Sequence, residues 1–404
     1  MLEQFKKCLK RVNFYLRFLG LSLDSRDKNK SMLELIRSHR LYTLHFFSLN
    51  IEVVAQILWV LEAIKAGKSF VEITRLIPCL ILCFISNFKT ISILYYAHYN
   101  NEFIETMRGL LLNMDTEEEG SRYKKEVIDT HVLMLTSITK KIIYLIIIGL
   151  GMFAFAPFFI IVPNYLKTNE VKLEMPFIAY YPFNEFDGWI YPCVYIHQVW
   201  AGKRVILVVV SITSQDLNYL ATFFYNLHQE SGTLFIIVPY YLKTHEDKLE
   251  ILKFKIISHF TFRCVKLLEE IFSKSMLFNA LTSSVIICVT GFNVVDNIVI
   301  MASFTALLIF GLIEIFLYCY YGDTIMRSSM EISDAIYNSH WYNIGASDRK
   351  KVYLLKAFCL NFRAQKPCEL TANGFFKINL HAFTRILSTS WSYFALLKTM
   401  YHPE

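Results

Sequence analysis

Seven stretches of this chain, near 41–64, 70–97, 142–163, 189–212, 276–293, 298–321 and 379–398, are apolar over bilayer length. A helix needs ~20 residues to cross the hydrocarbon core of a membrane. Lipid offers no hydrogen-bond partner, so every backbone N–H and C=O there must be satisfied within the protein, by helices or a closed barrel. Composition chooses between the two. The chain is 54% hydrophobic, yet only 14 Gly and 9 Pro punctuate its 404 residues. That scarcity favours long uninterrupted helices over many short strands with turns. The expectation is an all-α, polytopic membrane protein with seven transmembrane helices. The third stretch, Ile142 to Val162, is the clearest, and the first is weakened by Glu52, Gln56 and Glu62. The fifth and sixth meet at 291–297, a segment with Gly, Asn and Asp that reads as a turn, and Gly322 marks a break after the sixth.

Charge placement gives the orientation. Ten cations precede the first stretch, from Lys6 to Arg40, and basic clusters follow stretches two, four and six (Arg122/Lys124/Lys125, Lys253/Lys255, Arg349/Lys350/Lys351). The segments after stretches three and five carry almost none. The positive-inside rule then puts the N-terminus in the cytoplasm and the C-terminus outside, the reverse of a G-protein-coupled receptor. Four parts follow. Residues 1–40 form a basic amphipathic segment suited to the inner leaflet, or a solvated helix face. Residues 41–321 hold helices one to six, 322–378 a cytoplasmic helical anchor, and 379–404 the seventh helix. The net charge of +7 is distributed by topology and gives no reason to invoke nucleic acid. Nine cysteines show no CxxC or metal spacing, so no metal or other cofactor is expected, and free thiols suit the apolar runs. His45, His98, His197 and His259 stand apart from any acid or nucleophile, so no catalytic constellation is expected.

The seventh stretch is unusual because hydroxyls interleave with apolar side chains. At ~100° per residue, Thr389, Tyr393, Leu396 and Met400 share one narrow arc. Ser388, Ser392, Ala395 and Thr399 form a small-residue face that suits close helix approach. Leu387, Trp391, Phe394 and Lys398 form a bulky third face. The first arc is what a pore wall with a hydrophobic constriction requires. A packed terminal helix with satisfied hydroxyls fits the same spacing.

The later part of the chain resembles the insect odorant receptors, ligand-gated cation channels of olfactory neurons. The resemblance rests on Tyr318-Cys319-Tyr320-Tyr321-Gly322, on 335–342 (AIYNSHWY), on Arg363-Ala364-Gln365-Lys366-Pro367, on Leu370-Thr371-Ala372 and on 390–397 (SWSYFALL). Further matches are Tyr181-Pro182-Phe183, 195–198 (YIHQ), 269–273 (EEIFS) and Ser283-Ser284. The resemblance implies a tetramer around a central pore lined by helix seven, with Leu396 and Met400 at the gate positions. The co-receptor of that family is longer, so the chain resembles a ligand-tuning subunit. The implied partners are the odorant receptor co-receptor in a heterotetramer, a small volatile odorant and membrane lipids. The implied ligand site lies in the outer half of helices two to six. The candidates there are Phe84 and Phe88, then Gly149, Met152, Phe153 and Ala156, then Ile196, Val199, Phe304 and Leu308. A gustatory-receptor-like channel or a polytopic transporter is the alternative.

Two features stand apart. Lys203-Arg204 lies within stretch four, where charge is costly, so the pair either reaches the cytoplasmic side or faces water or a carboxylate such as Glu314. The sequence at 160–170 also recurs at 236–246 with few changes, and the topology above puts the copies on opposite faces.

Overall fold

The computed structural model describes residues 2–21, 40–114, 173–244, 247–293, 298–337 and 365–401, with scattered positions between 137 and 171. The described residues are almost wholly helical: α1 (Leu2–Phe18), α2 (Arg40–Lys65), α3 (Phe70–Thr74), α4 (Ile77–Tyr95), α5 (Ala97–Met114), α6 (Ile190–Thr244), α7 (Asp247–Asn293), α8 (Ile298–Tyr337) and α9 (Leu380–Tyr401). Among them the only β feature is an isolated antiparallel bridge between Thr371 and Lys377. Five segments are long and apolar enough to cross a membrane: Arg40–Lys65, Phe70–Tyr95, Ile190–Leu217, Arg263–Phe292 and Thr305–Glu331. Most of the third apolar stretch lies outside the described residues, apart from the short apolar helix Pro157–Leu166.

Local chemistry explains where the helices begin. Ser69 accepts a hydrogen bond from the Glu72 N–H at 3.3 Å, so a polar side chain starts α3. Pro78 falls in the first turn of α4, where its missing N–H costs nothing. Asn379 Oδ1 accepts from Ala382 N at 2.9 Å and caps α9.

Three helices are much longer than a bilayer requires. α6 has 55 residues, α7 has 47 and α8 has 40. The helices that carry the stretches ending near 212 and 321 run on past those positions, and the one that carries the fifth stretch begins well before 276. Hydropathy marks only the part in lipid, and continuation depends on helix propensity in polar sequence. Residues 236–244 of the second copy of the repeat belong to α6, and 245–246 lie outside the described residues.

Gly322 is also reassigned. It does not end helix six, since α8 continues to Tyr337. A Cβ at this position would collide with the carbonyl oxygen of Ile378. The glycine lets the segment that leads into α9 cross directly over α8. That segment turns tightly through Asn373 and Gly374, both at positive φ (52° and 76°), which suits an Asn-Gly pair. It is pinned by Cys368 N to Ser329 Oγ of α8 (2.9 Å), and by Thr371 Oγ1 to Glu269 Oε1 (2.7 Å) and Asn373 N to Ser273 Oγ (2.7 Å) of α7.

One continuous apolar core joins these elements, from Leu9, Val12 and Leu16 of α1 and Leu19 just after it through α4 to α8. Within it sits a dry polar node. Lys89 Nζ of α4 lies 2.6 Å from Glu314 Oε1 of α8, and both side chains are at most 3% exposed. The same oxygen accepts from Thr213 Oγ1 of α6 at 2.9 Å and from Asn279 Nδ2 of α7 at 3.2 Å. About one turn further along α6 and α8, Tyr318 donates to Asp216 at 2.9 Å. Removing one partner of a buried ion pair typically costs ~3–5 kcal/mol, because the other charge is left bare. Replacing both together costs much less. Lys89→Met and Glu314→Leu should therefore each lower the unfolding midpoint of the detergent-solubilised protein strongly. Lys89→Met with Glu314→Gln, which keeps an acceptor for Thr213 and Asn279, should recover most of that loss. A double variant as unstable as the sum of the singles would show that the pair is not coupled.

Candidate ligand cavity and pore helix

A small cavity, about 30 Å³, lies between α2, α4 and α6. Leu49, Glu52 and Gln56 line it from α2, Cys79, Leu82 and Cys83 from α4, and Ala201, Gly202 and Val205 from α6. Phe177, from the segment before α6, closes it. Gly202 makes room for that ring, since a Cβ there would stand 3.3 Å from two of its carbons.

The closing segment is held by one glutamine. Gln198 of α6 accepts from Phe177 N at 3.0 Å and donates to Phe177 O at 3.1 Å and to Tyr181 OH at 3.1 Å. Tyr181 donates in turn to Glu52 Oε2 at 2.9 Å. Burial first, and the Glu52 carboxylate second, push the Tyr181 phenol above its usual range, so its O–H stays a donor. His197 Nδ1 stands 3.6 Å from the same Glu52 oxygen, and its Nε2 is 3.1 Å from Ser48 Oγ. Tyr180 N adds a backbone bond to Ala55 O at 3.0 Å. A cavity this small admits about one water, whereas sites for small-molecule ligands enclose roughly 300–1,000 Å³.

The sequence-selected ligand candidates whose side chains are described are not among the residues that line this cavity. Phe84 is exposed on α4, and Ile196 is exposed on α6. Phe88 stacks on Phe278 of α7 with centroids 4.2 Å apart. Val199 and Leu308 are half-buried. Phe304 belongs to α8, but its side chain lies outside the described residues, as do Gly149, Met152, Phe153 and Ala156. Sequence reasoning passed over Glu52 and Gln56, treating them as defects in the first span. A carboxylate inside an apolar span was the available signal, because such residues are retained for a reason.

Arg204 settles one open question. It is 1% exposed. Its Nη1 donates to the His45 carbonyl at 2.6 Å, and the guanidinium lies over the rings of Tyr42 and Phe46 at 5.6 and 5.5 Å. Glu314 is not its partner, since that carboxylate is taken by Lys89. Lys203 points outward and is exposed.

α9 is held along one seam. Ala382, Phe383, Ile386, Leu387, Ser390, Phe394 and Leu397 are its less exposed positions. Phe383 meets Phe316 of α8 edge-on at 5.4 Å, Ser390 Oγ stands 3.1 Å from Ser284 Oγ of α7, and Phe394 lies over Gly291. At the far end Tyr401 stacks on Phe70 at 4.1 Å and meets Phe292 at 6.3 Å. This seam takes Leu387 and Phe394 from the expected bulky face but leaves Trp391 exposed, so the three-face division does not describe the packing. Thr389, Tyr393, Leu396 and Met400 are all exposed. So are Ser388, Ser392, Ala395 and Thr399. Hydroxyls on these faces turn inward to the backbone, Thr389 to Arg385 O (2.8 Å) and Ser392 to Ser388 O (2.9 Å).

The sequence model of a family described as 7tm Odorant receptor matches residues 69–391. Putative odorant receptor 85d of Drosophila melanogaster is 23% identical over 97% of this chain and 94% of its own length. Odorant receptor 85c of the same fly is 24% identical over 98% and 99%. The fold matches the insect olfactory receptor OR5 from Machilis hrabei in complex with eugenol, with a TM-score of 0.77, 18% identity and 99% coverage of both chains.

Gln198→Ala removes three hydrogen bonds at once, each worth about 1 kcal/mol. Amide hydrogen exchange across 175–183 should accelerate by at least tenfold while α7 is unaffected. Unchanged exchange there would mean that the segment is held by other contacts.

Proposed function

This chain belongs to the odorant receptor family, and from that premise we propose that it is an odorant-gated, non-selective cation channel subunit. Members of the family are multi-pass membrane receptors and not enzymes. In this reading it tunes ligand response within a heterotetramer completed by the odorant receptor co-receptor. It resides in the plasma membrane of an olfactory neuron dendrite, N-terminus inside and C-terminus outside.

The observation that carries the channel reading is the mounting of α9. It is fixed along one side, capped at its start and clamped by Phe70 at its end, while Thr389, Tyr393, Leu396 and Met400 stand uncovered. Four such helices with that arc facing an axis make a pore with an apolar constriction at Leu396 and Met400. A ring of apolar side chains blocks ions by dewetting, and a small outward movement rewets it. The ligand in this reading is small, volatile and apolar, taken up inside the bundle, as a structure of the same fold contains eugenol. Phe84, Phe88, Ile196, Val199, Phe304 and Leu308, with Gly149, Met152, Phe153 and Ala156, are its candidate contacts.

Expression with the co-receptor should yield cation currents evoked by volatile odorants, and expression alone should give much less. Surface-expressed complex silent to a broad panel contradicts the proposal. Leu396→Ser should raise the resting leak several-fold in a conducting complex. An unaltered leak would remove Leu396 from the gate.

A further inference from the structure

Among the residues that line the α2–α4–α6 cavity, two side-chain oxygens stand out. Glu52 Oε1 and Gln56 Oε1 are buried without a hydrogen-bond partner, and their residues are only 2% and 1% exposed. They lie one helical turn apart on α2, and both residues line the same void. Tyr181 O–H is engaged on the other Glu52 oxygen and the Gln198 amide on the closing segment, while Arg204, whose Nε and Nη2 are unpartnered, directs its Nη1 to the His45 carbonyl and is not among the lining residues. What remains of the lining is apolar, apart from Cys79 and Cys83, whose thiols are weak donors. A buried acceptor left unmatched is costly, and the cost is recovered when a donor arrives.

We propose that this cavity is a binding subsite for a hydrogen-bond-donating head group, the hydroxyl of a small alcohol or the ammonium of a small primary amine. Glu52 Oε1 and Gln56 Oε1 receive the donor, and Leu49, Leu82 and Val205 pack against the first carbons. The tail extends toward Phe177, whose ring rests on the bare Cα of Gly202 and is the part of the wall that gives way. The selectivity is for the donor. An isostere without O–H or N–H leaves both oxygens unmatched, and sites of this kind reject such analogues strongly. The subsite is separate from the aromatic candidates on α4 and α6, and it does not depend on the channel reading.

The experiment uses the purified full-length chain in lipid nanodiscs. 1-Butanol, butylamine and methyl propyl ether serve as probes, and their affinities are measured by saturation-transfer NMR. Butanol and butylamine should bind at least tenfold more tightly than the ether. Gln56→Leu should abolish most of that preference, and Glu52→Gln should weaken butylamine more than butanol. Equal affinity for all three probes on the unaltered protein overturns the proposal, whether or not either variant folds. So does a preference that survives both substitutions, and so does failure of all three to bind, which leaves the cavity to water. Binding is read without current, so a silent channel has no bearing on the outcome.

Discussion

The rest of the bundle is arranged around one oxygen atom, Glu314 Oε1. Lys89, Thr213 and Asn279 all direct donors at it from three different helices, and both charged side chains are buried. A single hydrogen bond contributes about 1 kcal/mol, but a stranded charge in this setting costs several times more. Proteins are stable by only ~5–15 kcal/mol, so the ion pair outweighs any nearby apolar contact as a constraint. It fixes the registers of α4, α6, α7 and α8 against each other. Slippage of one helix by a turn would strand a charge.

Consequences spread along α7 and α8, because those two helices carry α9. Phe316 lies just beyond Glu314 on α8 and receives Phe383. Ser284 lies just beyond Asn279 on α7 and meets Ser390. Gly322, about two turns past Glu314, gives the α9 lead-in its passage. α9 is therefore positioned by the same two helices that the buried node locks together. The outer cavity is arranged differently. There the carboxylate of Glu52 is met by a tyrosine from a connecting segment, and Gln198 fastens that segment by its backbone. One site is rigid and satisfied, and the other keeps two acceptors unmatched.

Much of this was legible in the sequence. Apolar length found stretches one, two, four, five and six, which correspond to the five helices long and apolar enough to cross a membrane, and the short strings around Leu370-Thr371-Ala372 and Ser390-Trp391-Ser392 pointed to the correct family. The structure shows what those strings do: Thr371 ties the lead-in to α7, and Ser390 docks the helix. Other features were not legible for physical reasons. Hydropathy cannot see a helix leaving the membrane, so α6, α7 and α8 were read too short. Gly322 looked like a break because a close backbone crossing leaves the same mark in sequence as a turn. Glu314, one of the partners open to Lys203-Arg204 in the sequence, takes Lys89 instead, because pairing depends on helix rotation, which spacing alone does not reveal. The stack of Phe88 on Phe278 was likewise invisible in the spacing.

The account's central claim is that α9 is bolted along one face and open along another. Substituted-cysteine accessibility along α9, in the conducting complex, measures this directly. Cysteines at Thr389, Tyr393 and Leu396 should react with a water-soluble thiol reagent and reduce the current. Cysteines at Leu387, Ser390 and Phe394 should stay protected. Reaction at the seam positions with silence at Thr389, Tyr393 and Leu396 would contradict the assignment of the pore face.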